Sequence, residues 1–158
     1  PIKINLVICD NPKAEGILIA KKNSIPFLII DTKKRNFEQK IQKKINKYKI
    51  SLICLAGYMK ILSKNFINSC RKKIINIHPS LLPKFKGLNT FERVLKNKEK
   101  LTGCTVHFVN EKLDSGKIIN KKSFFINKSD NVFKLKEKTQ NLEYKAYSEA
   151  IIKMYRYN

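Results

Sequence analysis

The sequence predicts an α/β fold in which helices flank a mostly parallel, doubly wound sheet and a long helix ends the chain. Short β-branched runs alternate with longer amphipathic segments, which is the pattern of parallel strands joined by helical crossovers. The run "SLICLAG" is apolar almost throughout and ends in glycine, as expected for a central strand that is covered on both faces. The chain has 158 residues, of which 42% are hydrophobic, and this is enough for one continuous core.

The first half of the chain predicts strands and helices in alternation. Phe37, Ile41 and Ile45 recur every fourth residue, which predicts a helix with one buried stripe. Asn11 and Pro12 predict the start of an earlier helix, and Ser63 predicts the cap of a later one. In order, the predicted elements are a strand over residues 2–8, a helix over 11–21, a strand over 26–30, a helix over 36–47, a strand over 51–57 and a helix over 65–70.

The second half predicts further strands and the terminal helix. "KIINIH" predicts a strand over residues 73–78, and "TGCTVHFV" and "GKIINKKSFFI" predict two later strands joined by "NEKLDSG". From Val132 to Ala146, apolar positions lie three or four residues apart. We therefore expect one long helix that begins near Ser129 or Asp130.

The charge of the chain raises the question of a nucleic-acid partner. There are 34 Lys and Arg residues against 12 Asp and Glu residues, a formal net charge of +22, and clustered basic residues neutralise phosphate. The lysines are spread over nearly every segment, however, and arrangement rather than total charge makes a binding face. The sequence therefore predicts no specific nucleic-acid partner, although a positive field would attract phosphorylated small molecules.

The apolar runs and the cysteines indicate in which kind of compartment the protein is expected. No apolar run approaches the roughly 18 residues that a membrane span needs. The four cysteines are scattered and have no C-x-x-C spacing, so we expect neither a zinc site nor a disulfide. Cys9 and Cys54 lie inside apolar runs, which predicts small buried thiols in a reducing compartment. The expected location is the cytoplasm.

Polar or flexible residues follow three of the predicted strands. The segments are "AGYMKIL", "NIHPSLLP" and "NEKLDSG". In doubly wound sheets, ligands bind outside the carboxyl ends of the strands. The three segments therefore predict one shared cleft.

Asn76, His78 and Asp114 are the candidates for chemistry. Residues two apart on a strand point to the same side, and Asn76 and His78 can both donate hydrogen bonds to an oxygen that gains negative charge. Asp114 could pair with His78, because a nearby carboxylate favours and orients a charged imidazole. Spacing alone leaves a purely structural role open for all three. His107 lies among apolar residues in mid-strand, which favours a core or supporting role.

Three longer motifs carry a resemblance to a known family. "LAGYMKILS", "NIHPSLLPKFKGLNT" and "TGCTVHFVNEKLDSGKII" closely resemble the phosphoribosylglycinamide formyltransferases, folate-dependent enzymes of purine synthesis. The resemblance runs from about the first residues to the terminal helix, and the motifs in this order are highly specific. It implies a Rossmann-like formyltransferase fold and direct transfer of a formyl group from 10-formyltetrahydrofolate to the amine of 5-phosphoribosylglycinamide.

The resemblance also implies roles for particular residues. Asn76, His78 and Asp114 match the family's catalytic residues, and Glu143 matches a glutamate that contacts the glycinamide ribotide. No metal is expected, the expected partners are the two small molecules, and the expected assembly is a monomer or a homodimer. The residues that match the family's folate-binding segments are Met59, Lys60, Ile61, Leu62, Asn76, Asn110, Glu111, Lys112, Leu113 and Asp114.

The chain departs from the family in two respects. The family begins with a strand and a glycine-rich loop that binds the substrate phosphate, whereas this chain starts at what resembles the second strand. We therefore expect residues 1–158 to form a single formyltransferase domain without the first βα unit. Lys60 stands where the family has an arginine, and a lysine cannot make a bidentate contact with a carboxylate.

The sequence leaves three alternative functions open. The first is a basic α/β module that binds RNA and in which Asn76 and His78 are structural. The second is the family's fold without activity. The third is another transferase or hydrolase that depends on formyltetrahydrofolate.

Overall fold

A computed structural model of the protein describes residues 2–156. Strands and helices alternate along most of the chain, and the predicted α/β class is confirmed. The strands are β1 Val7–Cys9, β2 Phe27–Ile29, β3 Leu52–Leu55, β4 Lys73–His78, β5 Leu101–Phe108 and β6 Ile118–Phe125. The helices are α1 Glu15–Lys22, α2 Phe37–Lys47, α3 Lys64–Ser69, α4 Thr90–Lys96 and α5 Val132–Arg156.

One structural unit comprises the residues up to Ser51 together with Asn68–Lys72. In it, β1 and β2 pair in parallel, with Val7 opposite Phe27. The prediction that Asn11 caps α1 is wrong, because the Asn11 side chain accepts a hydrogen bond from the Lys13 amide at 2.9 Å and so forms a turn ahead of the helix. The strand predicted over residues 2–8 is shorter than expected and begins at Val7.

The second unit comprises Leu52–Ile67 and the residues from Lys73 onward. Its sheet has the order β3-β4-β5-β6. β3 and β4 are parallel, whereas β5 runs antiparallel to β4 and β6 antiparallel to β5. The antiparallel pairing of β6 with β5 follows from the short connection between them, since a parallel pair needs a crossover of a dozen or more residues.

Helix α5 packs on this sheet and completes the core of the second unit. Ala146 and Ala150 of α5 lie in one buried cluster with Ile75, Ile77, Cys104 and Val106 from β4 and β5. The small alanine side chains let the helix backbone approach the strands closely. The Tyr147 hydroxyl lies 2.9 Å from the Leu55 carbonyl oxygen and 3.1 Å from that of Ile75. The helix therefore ties β3 to β4 as well as covering the core.

The cysteine environments differ from those expected. Cys54 is exposed and Cys9 is only half-buried, so the prediction that both are buried is wrong. The reason is that β3 forms an edge of its four-stranded sheet rather than a centre. Cys104 in β5 is buried, and this burial, with a smaller contribution from the Glu143 carboxylate, raises the pKa of its thiol to about 12.

Helices α3 and α4 both begin next to the candidate site. The Ser63 hydroxyl accepts a hydrogen bond from the Phe66 amide at 3.0 Å, which confirms Ser63 as the cap of α3. Helix α4 was not predicted, and its first residue, Thr90, donates its hydroxyl to the Gly87 carbonyl at 3.3 Å. Both helices follow loops that line the candidate site described next. That residues 1–158 form a single domain stays a prediction.

Candidate active site

Asn76 and His78 lie at the end of β4, as the strand prediction required. The two side chains share one face of the sheet because they are two residues apart. His78 is 6% exposed, and Asn76 is half-buried. Opposite Asn76 on β5 lies His107, which is 2% exposed. Two adjacent strands therefore bring an amide and two imidazoles to one small region.

Asp114 reaches the same region from the loop between β5 and β6. Its Oδ2 atom lies 3.3 Å from Nδ1 of His78 and accepts a hydrogen bond from the Gly87 amide at 2.8 Å. Its Oδ1 atom lies 3.7 Å from Nε2 of His107. The Asp114 side chain is 7% exposed. The structure thus brings the sequence-predicted residues Asn76, His78 and Asp114 together, and it adds His107.

Oxygen atoms lie beside both ring nitrogens of His78. Its Nε2 atom lies 2.8 Å from the Phe85 carbonyl oxygen, and its Nδ1 atom faces the Asp114 carboxylate. Both neighbours are oxygen atoms that accept hydrogen bonds. His78 and Asp114 therefore form a buried pair in which the carboxylate can orient the imidazole ring.

All of the sequence-predicted site residues line one cavity of about 710 Å³ in the second unit. The loop before α3 contributes Met59, Lys60, Ile61 and Leu62 to the lining, and the loop from Asn110 to Asp114 contributes further lining residues. Glu143 reaches the cavity from α5. A volume of this size is within the usual range for sites that take small molecules and cofactors.

Much of the cavity wall is apolar and open to solvent. Met59 is 74% exposed, Ile61 73%, Leu88 62% and Leu113 52%. Exposed large apolar side chains that are gathered around a cavity are typical of ligand sites rather than of the general surface. Leu88, Lys136 and Gln140 are among the lining residues that were not predicted from the sequence. A signal for the last two was present, since Lys136, Gln140 and Glu143 follow helical spacing on α5.

The loop between β4 and α4 is held by buried polar contacts. Thr105 donates its hydroxyl to the Ser80 carbonyl at 2.6 Å and accepts the Leu82 amide at 3.1 Å. Thr105 and Ser80 are both fully buried. The loop carries the Phe85 carbonyl and the Gly87 amide that hold His78 and Asp114, so Thr105 fixes the position of both groups.

Comparison with known proteins supplies the family. The sequence matches the formyl transferase family over residues 1–151. The chain belongs to the formyl transferase family. A phosphoribosylglycinamide formyltransferase from Haemophilus influenzae is 38% identical over 151 residues, which cover 93% of this chain and 71% of that protein. Membership of the formyl transferase family implies a formyl donor of the folate type.

Further relatives agree with this membership. The Gallus gallus trifunctional purine biosynthetic protein adenosine-3 is 39% identical over 94% of this chain, but the chain spans only 15% of that protein's length. The crystal structure of phosphoribosylglycinamide formyltransferase from Bacillus halodurans superposes with a TM-score of 0.91 at 32% identity, covering 98% of this chain and 81% of that one. The formyltransferase fold expected from the motifs is therefore confirmed.

Two further observations concern the described part of the chain. Within residues 2–156, no group of three or more His, Cys, Asp or Glu side chains is arranged to hold a metal ion. No helix in the same range has the length and apolar character of a membrane span.

The conformation of the loop between β5 and β6, which carries Asp114, depends on Gly116, and this gives a first testable prediction. A Cβ atom at Gly116 would lie 1.7 Å from the Phe108 carbonyl oxygen. Gly116→Ala should therefore displace the loop that carries Asp114 and lower the free energy of unfolding by about 1–3 kcal/mol. Urea unfolding and formyl-transfer assays would measure both effects.

A matched control is available in α1. A Cβ atom at Gly16 would meet nothing within 4 Å, so Gly16→Ala should keep activity and leave stability unchanged or raise it by about 0.5–1 kcal/mol. Equal behaviour of the two variants would contradict the close approach at Gly116.

Glu143 gives a second prediction, on the pH dependence of stability. Burial raises the pKa of the Glu143 carboxyl. Its ionised form is thus disfavoured in the folded state, and stability is lost as the pH rises through the folded pKa. Glu143→Gln should therefore gain stability relative to the parent at about pH 8, and the gain should shrink as the pH falls to about 4. Thermal unfolding across this range is the measurement.

Glu149 provides a control of opposite sign. Hydrogen bonds from Lys122 and Asn120 lower the pKa of the Glu149 carboxyl, so its contribution is present above the unfolded pKa and is lost as the pH falls. Glu149→Gln should lose stability relative to the parent at about pH 8 but not at low pH. The same sign for both variants would refute the assignment for Glu143.

Proposed function

We propose that this chain transfers the formyl group of 10-formyltetrahydrofolate to the amine of 5-phosphoribosylglycinamide. The observation that carries the proposal is the meeting of Asn76, His78 and Asp114 at one apolar-walled cavity in a member of the formyl transferase family. The relatives named phosphoribosylglycinamide formyltransferase support this choice of substrate.

Asn76 and His78 stabilise the oxygen of the transferred group. The amine nitrogen forms a bond to the formyl carbon, and the carbonyl electron pair moves to the oxygen. An Asn76 N–H donates to that oxygen, and the charged His78 ring supplies positive potential beside it. Donors and charges fixed before the reaction stabilise such an oxygen strongly, because the protein need not reorganise as charge develops.

Asp114 keeps His78 charged and assists the removal of a proton. The attacking amine becomes positive and must lose a proton before the carbon–nitrogen bond to the folate breaks. Asp114 lies at the cavity wall with His78 3.3 Å from one carboxylate oxygen. It accepts the amine proton directly or through water, and the departing folate nitrogen takes up a proton in turn, so that protons balance over the reaction.

The cavity walls hold the two substrates. The apolar side chains of Met59, Ile61 and Leu113 are exposed toward solvent at the cavity and fit a flat heterocycle. Backbone groups of the two loops would hold its polar edge, and Glu143 on α5 would contact the ribotide. The proposed donor-binding residues are those of the sequence analysis: Met59, Lys60, Ile61, Leu62, Asn76, Asn110, Glu111, Lys112, Leu113 and Asp114.

A coupled assay tests the proposal. The protein is incubated with 10-formyltetrahydrofolate with and without the ribotide, and the deformylated folate and the formylated ribotide are quantified together. Equal amounts of both products, formed only when the ribotide is present, are expected. Consumption of the donor without the ribotide would point to a hydrolase, and no consumption in either case would refute the proposed activity.

The RNA-binding alternative is not favoured by these observations. It would be supported by tight RNA binding that weakens steeply with salt, together with no affinity for folate. The cavity instead carries an amide, a carboxylate and imidazoles, and the family match covers residues 1–151.

A further inference from the structure

His107 lines the cavity, but the proposed reaction assigns it no role. Its Nδ1 atom lies 2.8 Å from the carbonyl oxygen of Phe108. A carbonyl oxygen only accepts hydrogen bonds, so Nδ1 carries a hydrogen. Burial, outweighing the Phe108 hydrogen bond and the Asp114 charge, lowers the pKa of this imidazole. At neutral pH the ring is therefore neutral, and its Nε2 atom is a bare acceptor.

The bare Nε2 atom faces the Asn76 side chain. The amide nitrogen of Asn76 lies 3.4 Å from it. An asparagine side chain can turn so that its oxygen and nitrogen exchange places, and the hydrogen-bond partners decide between the two orientations. An acceptor at Nε2 selects the orientation with the nitrogen toward His107, because the other would set the amide oxygen against a lone pair.

We infer that His107 is a positioning residue that, as the Nδ1–H tautomer, fixes the Asn76 amide so that its second N–H is kept for the reacting oxygen. The inference rests on the proposed function for the role of that N–H. An amide nitrogen has two hydrogens, and His107 uses one of them. Without an acceptor at this position, the amide could turn and present its oxygen to a negative oxygen, which would oppose the reaction.

Asp114 does not compete for the same nitrogen. Its Oδ1 atom lies 3.7 Å from Nε2 of His107, beyond the usual length of a hydrogen bond. Its Oδ2 atom already receives the Gly87 amide at 2.8 Å and faces His78 at 3.3 Å. Asp114 therefore leaves the Nε2 atom of His107 open to the Asn76 amide, although the carboxylate is a neighbour of both histidines.

Nitrogen-15 NMR of the histidine-labelled protein tests the tautomer without any need for turnover. At neutral pH, His107 should show a protonated Nδ1 and an unprotonated Nε2. His107→Leu assigns the signals. An Nε2–H tautomer or a charged ring at His107 would overturn the inference, whether or not the protein transfers formyl groups.

Kinetics then test the positioning role. His107→Leu removes the acceptor and should lower kcat roughly 10- to 100-fold, less than the ~10²–10³ expected for loss of the Asn76 donor itself, with KM values nearly unchanged. His107→Gln returns an acceptor oxygen and should recover part of the loss. In an Asn76→Ala background, His107→Leu should have almost no further effect on kcat.

If His107→Leu instead lowered kcat through general structural damage, the opposite results would be expected. In that case the effects of Asn76→Ala and His107→Leu would multiply, and His107→Gln would give no recovery. Either result would overturn the positioning role. Absence of formyl transfer in the parent protein would instead refute the proposed function, and the NMR result would still stand.

Discussion

Asp114→Asn should lower kcat for formyl transfer by about 10²–10⁴ while leaving the fold intact. Asparagine has nearly the shape of aspartate, and its amide oxygen can still accept the Gly87 amide that Asp114 accepts at 2.8 Å. It cannot accept the amine proton, and it removes the negative charge that faces Nδ1 of His78 at 3.3 Å. The chemical step therefore suffers far more than the loop geometry.

Steady-state kinetics with both substrates, together with thermal unfolding, would measure this effect. Glu149→Gln is the matched control, because it makes the same change of charge on α5 at a residue that pairs with Lys122 and does not line the cavity. The control should keep parental turnover. Turnover within a few-fold of the parent in Asp114→Asn would remove Asp114 from the mechanism.

His78→Ala should lower kcat by about 10²–10³, because the positive charge beside the reacting oxygen is lost. The same change leaves the Phe85 carbonyl and one face of the Asp114 carboxylate without the partner they have at present. Unpaired buried groups of this kind reduce the free energy of unfolding by about 1–3 kcal/mol. Activity and stability should therefore both fall, unlike in Asp114→Asn.

The two variants should differ in their free energy of unfolding, and this difference can be measured. Urea unfolding of His78→Ala and Asp114→Asn side by side separates loss of packing from loss of chemistry. Binding of the folate donor, followed by fluorescence titration, should persist in His78→Ala. A His78→Ala protein that keeps near-parental kcat, or one whose loss is explained wholly by unfolding, would contradict the role of this imidazole.

The sequence predicted, for identifiable physical reasons, that Asn76, His78 and Asp114 lie together. The run "KIINIH" matches β4 residue for residue. A short apolar stretch of this kind between polar residues is too short for a typical helix and favours a strand. Alternation along a strand then placed Asn76 and His78 on one side. Asp114 was predicted as a carboxylate on a turn that could pair with His78, although spacing alone left a purely structural role open for it.

Other features depend on contacts that a local pattern does not contain. Helix α4 was missed because Thr90–Lys96 is too short to display a clear period. The burial of Cys54 was overestimated because an apolar run does not reveal whether its strand lies at a centre or an edge. The approach of His107 to Asn76 follows from the antiparallel register of β4 and β5, and no single segment encodes that register.

The bond from the Gly87 amide to Asp114 has one more consequence. The acidic residue, the backbone that steadies it and the imidazole it faces come from neighbouring loops and a strand of one four-stranded sheet. Folding of this sheet and its loops therefore fixes the positions of these side chains relative to one another.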